Sequence, residues 1–184
     1  MSTGYSENSS LRRVQVIADY QFGAGIGPGL FPEGCTFILS TTGRIRQVLF
    51  ERTRLATVRA SDGRLTLAIE GAKRLQAVLP VPAYRVVIRE DVSEFVAKGK
   101  NTFAKHVVAA DSTIRAGDDV LVVTEGDRLI ACGAAAVSGI EMLAFNYGVA
   151  VRVRQGSEKD ASGKYQPAPD EGDDEEARHE CRAD

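Results

Sequence analysis

The sequence predicts an α+β protein made of two small folded segments between polar ends. Residues 11–82 contain four short strand-like runs with a helical pattern at each end. Residues 83–156 alternate strand-like and helix-like patterns at short intervals. The flanking residues 1–10 and 157–184 are polar and almost free of large apolar side chains, which predicts disorder. A chain of 184 residues can bury a real core in one or two such domains.

The first segment is predicted to begin and end with a helix. Leu11, Val14 and Ile17 recur at helical spacing, and a second helical pattern over residues 70–79 stops before Pro80. Between the helices, alternation and turn residues predict strands. These strands cover residues 35–39, 44–51, 55–60 and 65–69.

A glycine-rich stretch, residues 21–34, follows the first helix. Five of its residues from Gly23 to Gly34 are glycine, which raises the question of a phosphate-binding loop. The stretch lacks the Lys-Ser/Thr pair of a P-loop and does not lead from an apolar strand into a helix. The sequence therefore favours a turn-rich connection over a nucleotide site.

The second segment contains a more particular order of elements. Strands are predicted over residues 85–89, 103–108, 118–124, 128–135 and 148–154. A helix is predicted over residues 91–97, with Asp91 as its N-cap and Gly99 as its stop. A second helix is predicted over residues 138–145, where Ser138 and Glu141 have capping-box spacing.

The motifs of this segment resemble a PUA domain, a small RNA-binding module found on pseudouridine synthases and archaeosine tRNA-guanine transglycosylases. They occur in the order GKN-x-FAK, D-x-x-IRAGDDVLVV, LIACGAAAVSGIEM and F-x-x-G-x-AV-x-VR-x-G. The resemblance covers residues 83–156. It implies a pseudo-barrel of mostly antiparallel strands with short helices, and RNA binding without chemistry of its own.

The first segment is similar to the small domain that precedes the PUA domain in archaeal tRNA-guanine transglycosylases. The similarity rests on DYQFG-x-G, S-x-TGRIRQV and TVRASDG-x-LTL-x-x-x-GA-x-RL, within residues 11–82. The pair of domains looks like the C-terminal RNA-binding portion of that family. The family's catalytic (β/α)8 barrel needs about 200 residues or more, and this sequence has no room for it.

Charge is distributed unevenly along the chain. Residues 11–155 hold 19 Lys and Arg against 14 Asp and Glu, whereas residues 156–184 hold 4 against 10. A basic body suits a polyanion partner, although charge alone leaves an ordinary surface balance open. For the acidic tail, the composition favours a solubilising role over an RNA mimic that competes for the body.

The candidate RNA contacts combine cations with a glycine loop. A glycine lets backbone N–H groups approach phosphate, lysine adds a point charge, and alternate residues of a strand share a face. By resemblance, the loop at Gly99 packs against an RNA stem. In the second segment the candidates are Lys98, Gly99, Lys100, Asn101, Lys105, Arg115, Tyr147, Arg152 and Arg154. In the first segment they are Arg44 and Arg46, which alternation places on one strand face. Phe103 could stack on a base, but a core position is favoured.

No catalytic set emerges from the sequence. Asp118 and Asp119 are expected in an exposed turn, and His106 has no nucleophile in a known motif beside it. Cys35 and Cys132 are expected to be buried, with Cys181 in the tail. We expect no metal, no cofactor, no membrane segment and a cytoplasmic location.

These features predict a non-catalytic RNA-binding protein that holds structured tRNA mainly through residues 83–156. It would support base modification by a separate tRNA-modifying enzyme. The alternative is a subunit of an archaeosine-forming tRNA-guanine transglycosylase-type enzyme. A third interpretation is a protein-interaction module whose basic surface binds its own tail.

Overall fold

Two β-sheets and five α-helices make up the part of the chain that the structure, a computed structural model, describes: residues 4–158. The helices are α1 Gly4–Phe22, α2 Ile26–Leu30, α3 Ile69–Val78, α4 Ser93–Ala97 and α5 Gly139–Ala144. The strands of the first sheet are β1 Thr36–Leu39, β2 Ile45–Phe50, β3 Thr53–Val58 and β4 Leu65–Leu67. Those of the second are β5 Arg85–Ile88, β6 Thr102–Phe103, β7 Val107–Ala110, β8 Asp119–Thr124, β9 Leu129–Ala135 and β10 Val149–Gly156. The predicted α+β class is confirmed.

Helix α1 begins earlier than the sequence predicted. Residues 4–10, which we expected to be disordered, form its first turns. The buried side chains of Val14, Ala18 and Phe22 recur along one face and anchor the helix on the first core. The expectations for residues 1–3 and for the tail beyond Glu158 lie outside the described residues.

The glycine-rich stretch packs on α1 and contains α2, a short helix that the sequence did not predict. The Gly27 amide donates to the Asp19 carboxylate at 2.6 Å, so its hydrogen-bonding capacity is used within the protein. A Cβ on Gly27 would lie 2.4 Å from the Gln15 carbonyl oxygen. This glycine therefore serves close packing between α1 and α2, in agreement with a structural rather than nucleotide-binding role.

The first sheet is an antiparallel meander in the order β1-β2-β3-β4, with α3 packed on it. Its four strands and α3 lie where the sequence predicted them. Arg44 precedes β2 in the turn and is outside the strand, which corrects the assignment of Arg44 and Arg46 to one strand face. Both side chains are nevertheless exposed.

The second sheet has the order β6-β10-β9-β8-β5-β7 and is a nearly closed barrel. The chain passes from one edge strand, β6, to the other, β7, through a 3-10 turn at Ala104–His106. The continuous extended run predicted over residues 103–108 is therefore interrupted. All neighbouring pairs are antiparallel except β5 with β8. The resemblance to a mostly antiparallel pseudo-barrel is confirmed.

Of the two helix caps predicted in the second domain, one is present and the other is not. The capping box of Ser138 and Glu141 at the start of α5 is present. Asp91, the expected N-cap of the other helix, pairs instead with Arg89, and a 3-10 turn at Glu90–Val92 precedes α4. A neighbouring arginine thus competes for the carboxylate that would have capped the helix.

Strand β8 contributes side chains to the cores of both domains. All six of its residues are buried. Val120 and Val122 point into the barrel core, while Leu121 and Val123 belong to the core of the first domain. Alternate residues of a strand face opposite sides, so one strand contributes to two cores. The two domains therefore pack through a continuous apolar interface.

Two ion pairs, Asp118 with Arg64 and Asp119 with Arg154, lie at one edge of this apolar interface, and we call them the polar seam. Asp119, only 5% exposed, accepts from the Leu67 amide at 2.7 Å and is ion-paired with Arg154. Its neighbour Asp118 is paired with Arg64 at 2.7 Å. The sequence expected both aspartates in an exposed turn, and that expectation is wrong because the first domain covers this turn.

We predict that Asp119→Asn lowers the free energy of unfolding by about 2–3 kcal/mol, measured by urea denaturation. The amide leaves the Arg154 charge without its partner, and its NH2 group faces another donor in either orientation, the Leu67 amide or the Arg154 guanidinium. The control Asp62→Asn removes an exposed pair with Arg59, where about 1 kcal/mol or less is expected. Equal stabilities of the two variants would contradict a structural role for the seam.

Candidate nucleic-acid interface

The loop that follows α4 presents two lysines on a tight backbone turn. Gly99 has φ +87°, a left-handed conformation that favours glycine. The turn is closed by hydrogen bonds from the Gly99 amide to the Val96 carbonyl and from the Lys100 amide to the Phe95 carbonyl, at 2.8 and 3.1 Å. The side chains of Lys98 and Lys100 are exposed. Two cations therefore project from a loop whose backbone is fixed.

The same loop is fastened to β10. The Asn101 side-chain oxygen accepts from the Val153 amide at 3.0 Å. At the last residue of α4, the approach is so close that a Cβ on Gly156 would lie 2.0 Å from the Ala97 carbonyl oxygen. Asn101, a predicted RNA contact, thus holds the loop against the strand that carries exposed Arg152.

Aromatic side chains are exposed beside these cations. Phe103 lies opposite Val149 in the β6–β10 pair and is 45% exposed, so the favoured core position is wrong. Tyr147 is 80% exposed and stacks on Phe145, with ring centroids 6.3 Å apart. Exposed rings next to cations are typical of surfaces that stack on unpaired bases.

We call Lys98, Lys100, Lys105 and Arg152, with the rings of Phe103 and Tyr147, the cationic surface. Among the side chains that the structure describes, residues 8–158, no acid forms an ion pair with any of its four cations. The pKa of nearby His106 is lowered by partial burial and, less strongly, by the charges of Lys105 and Arg89. Uncompensated positive charge makes this surface a candidate binding site for phosphates.

Four other predicted contacts lie elsewhere. Arg154 is ion-paired with Asp119, and its pKa is raised because that pairing outweighs the effect of burial. We therefore assign Arg154 to the polar seam and leave it out of the interface. Arg115 lies in the turn before β8, while Arg44 and Arg46 are on the first domain. These last three are exposed.

Sequence reasoning missed two rings near this surface. Phe95, on α4 just before Lys98, was not among the predicted contacts and is 64% exposed. Phe145, which supports Tyr147, was read as the end of a helix. A helix of five residues has too few turns for its apolar face to be read from spacing, so only the position of Phe95 beside Lys98 offered a signal.

The described residues do not assemble a recognisable catalytic centre. Cys35 and Cys132 are buried as expected, and burial raises their pKa values to about 11 and about 12, which disfavours the thiolate. Among residues 4–158, no cluster of His, Cys, Asp or Glu has the geometry of a metal site. Cys181 lies outside the described residues. In the same range, no helix is long and apolar enough to cross a membrane.

Family comparisons agree with this division of the chain. Residues 12–82 match the family described as patch-forming domain C2 of tRNA-guanine transglycosylase, and residues 84–156 match the PUA domain. The chain is therefore a PUA domain protein. More particularly, it carries the C2 and PUA domains of the archaeal tRNA-guanine transglycosylase type.

Relatives with this pair of domains are much longer proteins. The tRNA-guanine(15) transglycosylase of Pyrococcus abyssi is 51% identical over 151 residues, which is 82% of this chain and 26% of the relative. The enzyme of the same name from Thermococcus kodakarensis is 49% identical over 79% of this chain and 25% of the relative. The chain thus spans about a quarter of the length of these relatives.

Solved structures support the fold alone. A hypothetical protein of Pyrococcus horikoshii superposes with a TM-score of 0.65 at 22% identity, covering 83% of this chain and 92% of that one. A conserved PUA domain protein from Thermoplasma acidophilum has a TM-score of 0.58 at 18% identity, covering 82% and 89%. The arrangement of both domains therefore recurs in other archaeal proteins.

We predict that Asn101→Leu accelerates hydrogen exchange of the Val153 amide about fivefold, as expected from a lost hydrogen bond worth about 1 kcal/mol. Asn101→Asp keeps an acceptor at the same place and should exchange like the parent protein. Unchanged exchange in the leucine variant would mean that Asn101 does not fasten the loop.

Proposed function

We propose that this chain is a non-catalytic RNA-binding protein that acts in the cytoplasm and holds structured tRNA during base modification. The observation that carries the proposal is the cationic surface on the PUA domain, with exposed rings beside lysines that no acid of the described residues neutralises. The names of the relatives, tRNA-guanine(15) transglycosylases, support tRNA as the ligand.

The surface suits recognition by shape and charge. Lys98 and Lys100 stand on a loop whose backbone is fixed, so little backbone entropy is lost when they meet a phosphate backbone. Phe103 and Tyr147 offer faces for a base that is not paired. Phosphate contacts supply affinity and rings select unpaired ends, a combination that fits an RNA stem next to a single strand.

Salt-dependent binding to bulk tRNA tests this proposal. We expect Lys100→Glu/Arg152→Glu to weaken binding about 100-fold at 0.1 M salt and to lower the salt slope by about 2, because two phosphate contacts are lost. The control Arg59→Glu/Lys73→Glu reverses two exposed cations of the first domain that already have acidic partners. It should bind nearly as the parent does.

Two results would overturn the proposal. If the parent protein does not bind tRNA at low salt, the proposed RNA-binding function is wrong. Equal weakening in the two double variants would show that net charge, rather than the cationic surface, determines affinity.

A second candidate is a subunit of a transglycosylase-type enzyme. It is favoured by the coverage, since the chain spans 26% of a relative that is 51% identical to it. In this arrangement, a separate modifying enzyme catalyses the reaction and this chain binds the tRNA.

Reconstitution tests the second candidate. We expect a relative stripped of its C2 and PUA domains to form a complex with this chain, seen by sedimentation, and to regain guanine exchange into tRNA. The Lys100→Glu/Arg152→Glu variant should form the complex without restoring exchange. If sedimentation shows two separate species, the subunit role is excluded for that pair.

A further inference from the structure

The chain leaves the folded body next to the cationic surface. After β10 ends at Gly156, the Ser157 amide donates to the Ile130 carbonyl at 2.7 Å. The Glu158 amide then donates to the Ala97 carbonyl at 3.1 Å. Ala97 directly precedes Lys98. The segment that continues from Glu158 therefore starts beside the two lysines of the loop.

That segment is an acidic sequence. Residues 159–184 contain nine Asp and Glu against four Lys and Arg, and six of the seven residues from Asp170 to Glu176 are acidic. The twelve residue-to-residue steps from Glu158 to Asp170 span at most about 40 Å. The acidic block, residues 170–176, is therefore within covalent reach of the loop and of Arg152.

An acidic cleft borders the exit point. It is lined by Glu90, Asp91, Glu94 and Glu158 itself. Its cation, Arg128, is already paired with Glu90 at 2.5 Å. Like charges repel and opposite charges attract over a Debye length of about 10 Å at 0.1 M salt, so an acidic segment that continues from Glu158 is repelled by this cleft and attracted by the unpaired cations of the cationic surface.

We propose that the acidic block occupies the cationic surface when no RNA is bound and competes with RNA for it. This inference rests on the proposed function. A tethered segment acts at an effective concentration in the millimolar range, so even weak binding displaces loosely held polyanions. RNA that also stacks on Phe103 and Tyr147 gains contacts that the acidic block cannot supply. The tail thus increases the preference of the cationic surface for structured RNA with an unpaired end over other polyanions.

Neutralising the block in the full-length chain tests the competition. The variant carries Asp170→Asn, Glu171→Gln, Asp173→Asn, Asp174→Asn, Glu175→Gln and Glu176→Gln. We expect it to bind a homopolymer RNA about five- to tenfold more tightly than the parent at 0.1 M salt, and the ratio to fall as salt screens the tail. A control with Glu33→Gln, Glu51→Gln and Glu125→Gln removes exposed acids of the folded body. Its RNA affinity should rise less per charge removed.

A second measurement needs no RNA. Amide NMR shifts of residues 98–105 should differ between the parent and the neutralised variant, because the block contacts this loop in one and not in the other. Identical shifts, or equal RNA affinity in a parent that does bind RNA, would overturn the competition and leave RNA binding intact. Shift differences in a protein that binds no RNA would support the tail contact while refuting the proposed function.

Discussion

The burial of strand β8 on both faces is the constraint on which the rest of the structure depends. Its inward residues complete the barrel and its outward residues complete the core of the first domain. Asp119 can therefore be buried only because Arg154 and the Leu67 amide meet it at the edge of this contact. The positions of the first sheet and of β10 are fixed relative to each other by the same strand.

This constraint also determines where recognition can occur. The outward face of β8 and its neighbours is covered by the first domain, so exposed cations remain at the β6–β10 side of the barrel. There the Asn101 side chain and the close approach of Gly156 to α4 hold the lysine loop against β10. The residues proposed for recognition thus stand on a framework stabilised by backbone contacts, while their own side chains remain free to meet a ligand.

The sequence located most elements because alternation, turn glycines and the Ser138–Glu141 capping box are local signals. It failed where a distant contact overrides them. Asp119 was read as exposed because nothing local reveals that residues of the first domain will cover it. The pairing of Arg154 with Asp119 was missed for the same reason, and Phe103 was read as core because an aromatic residue in a two-residue strand carries no pattern. The exposure of Lys98, Lys100 and Arg152 was predictable because a charged side chain on a loop or strand is visible in the sequence itself.

The burial of strand β8 in both cores has an evolutionary consequence. A cut between the domains would expose Leu121, Val123 and the apolar residues packed against them to water together, so each half is less stable without the other. Gene rearrangement can join the pair to a new neighbour, but recombination within it is penalised. Where the two domains share a strand in this way, we expect them to be inherited together.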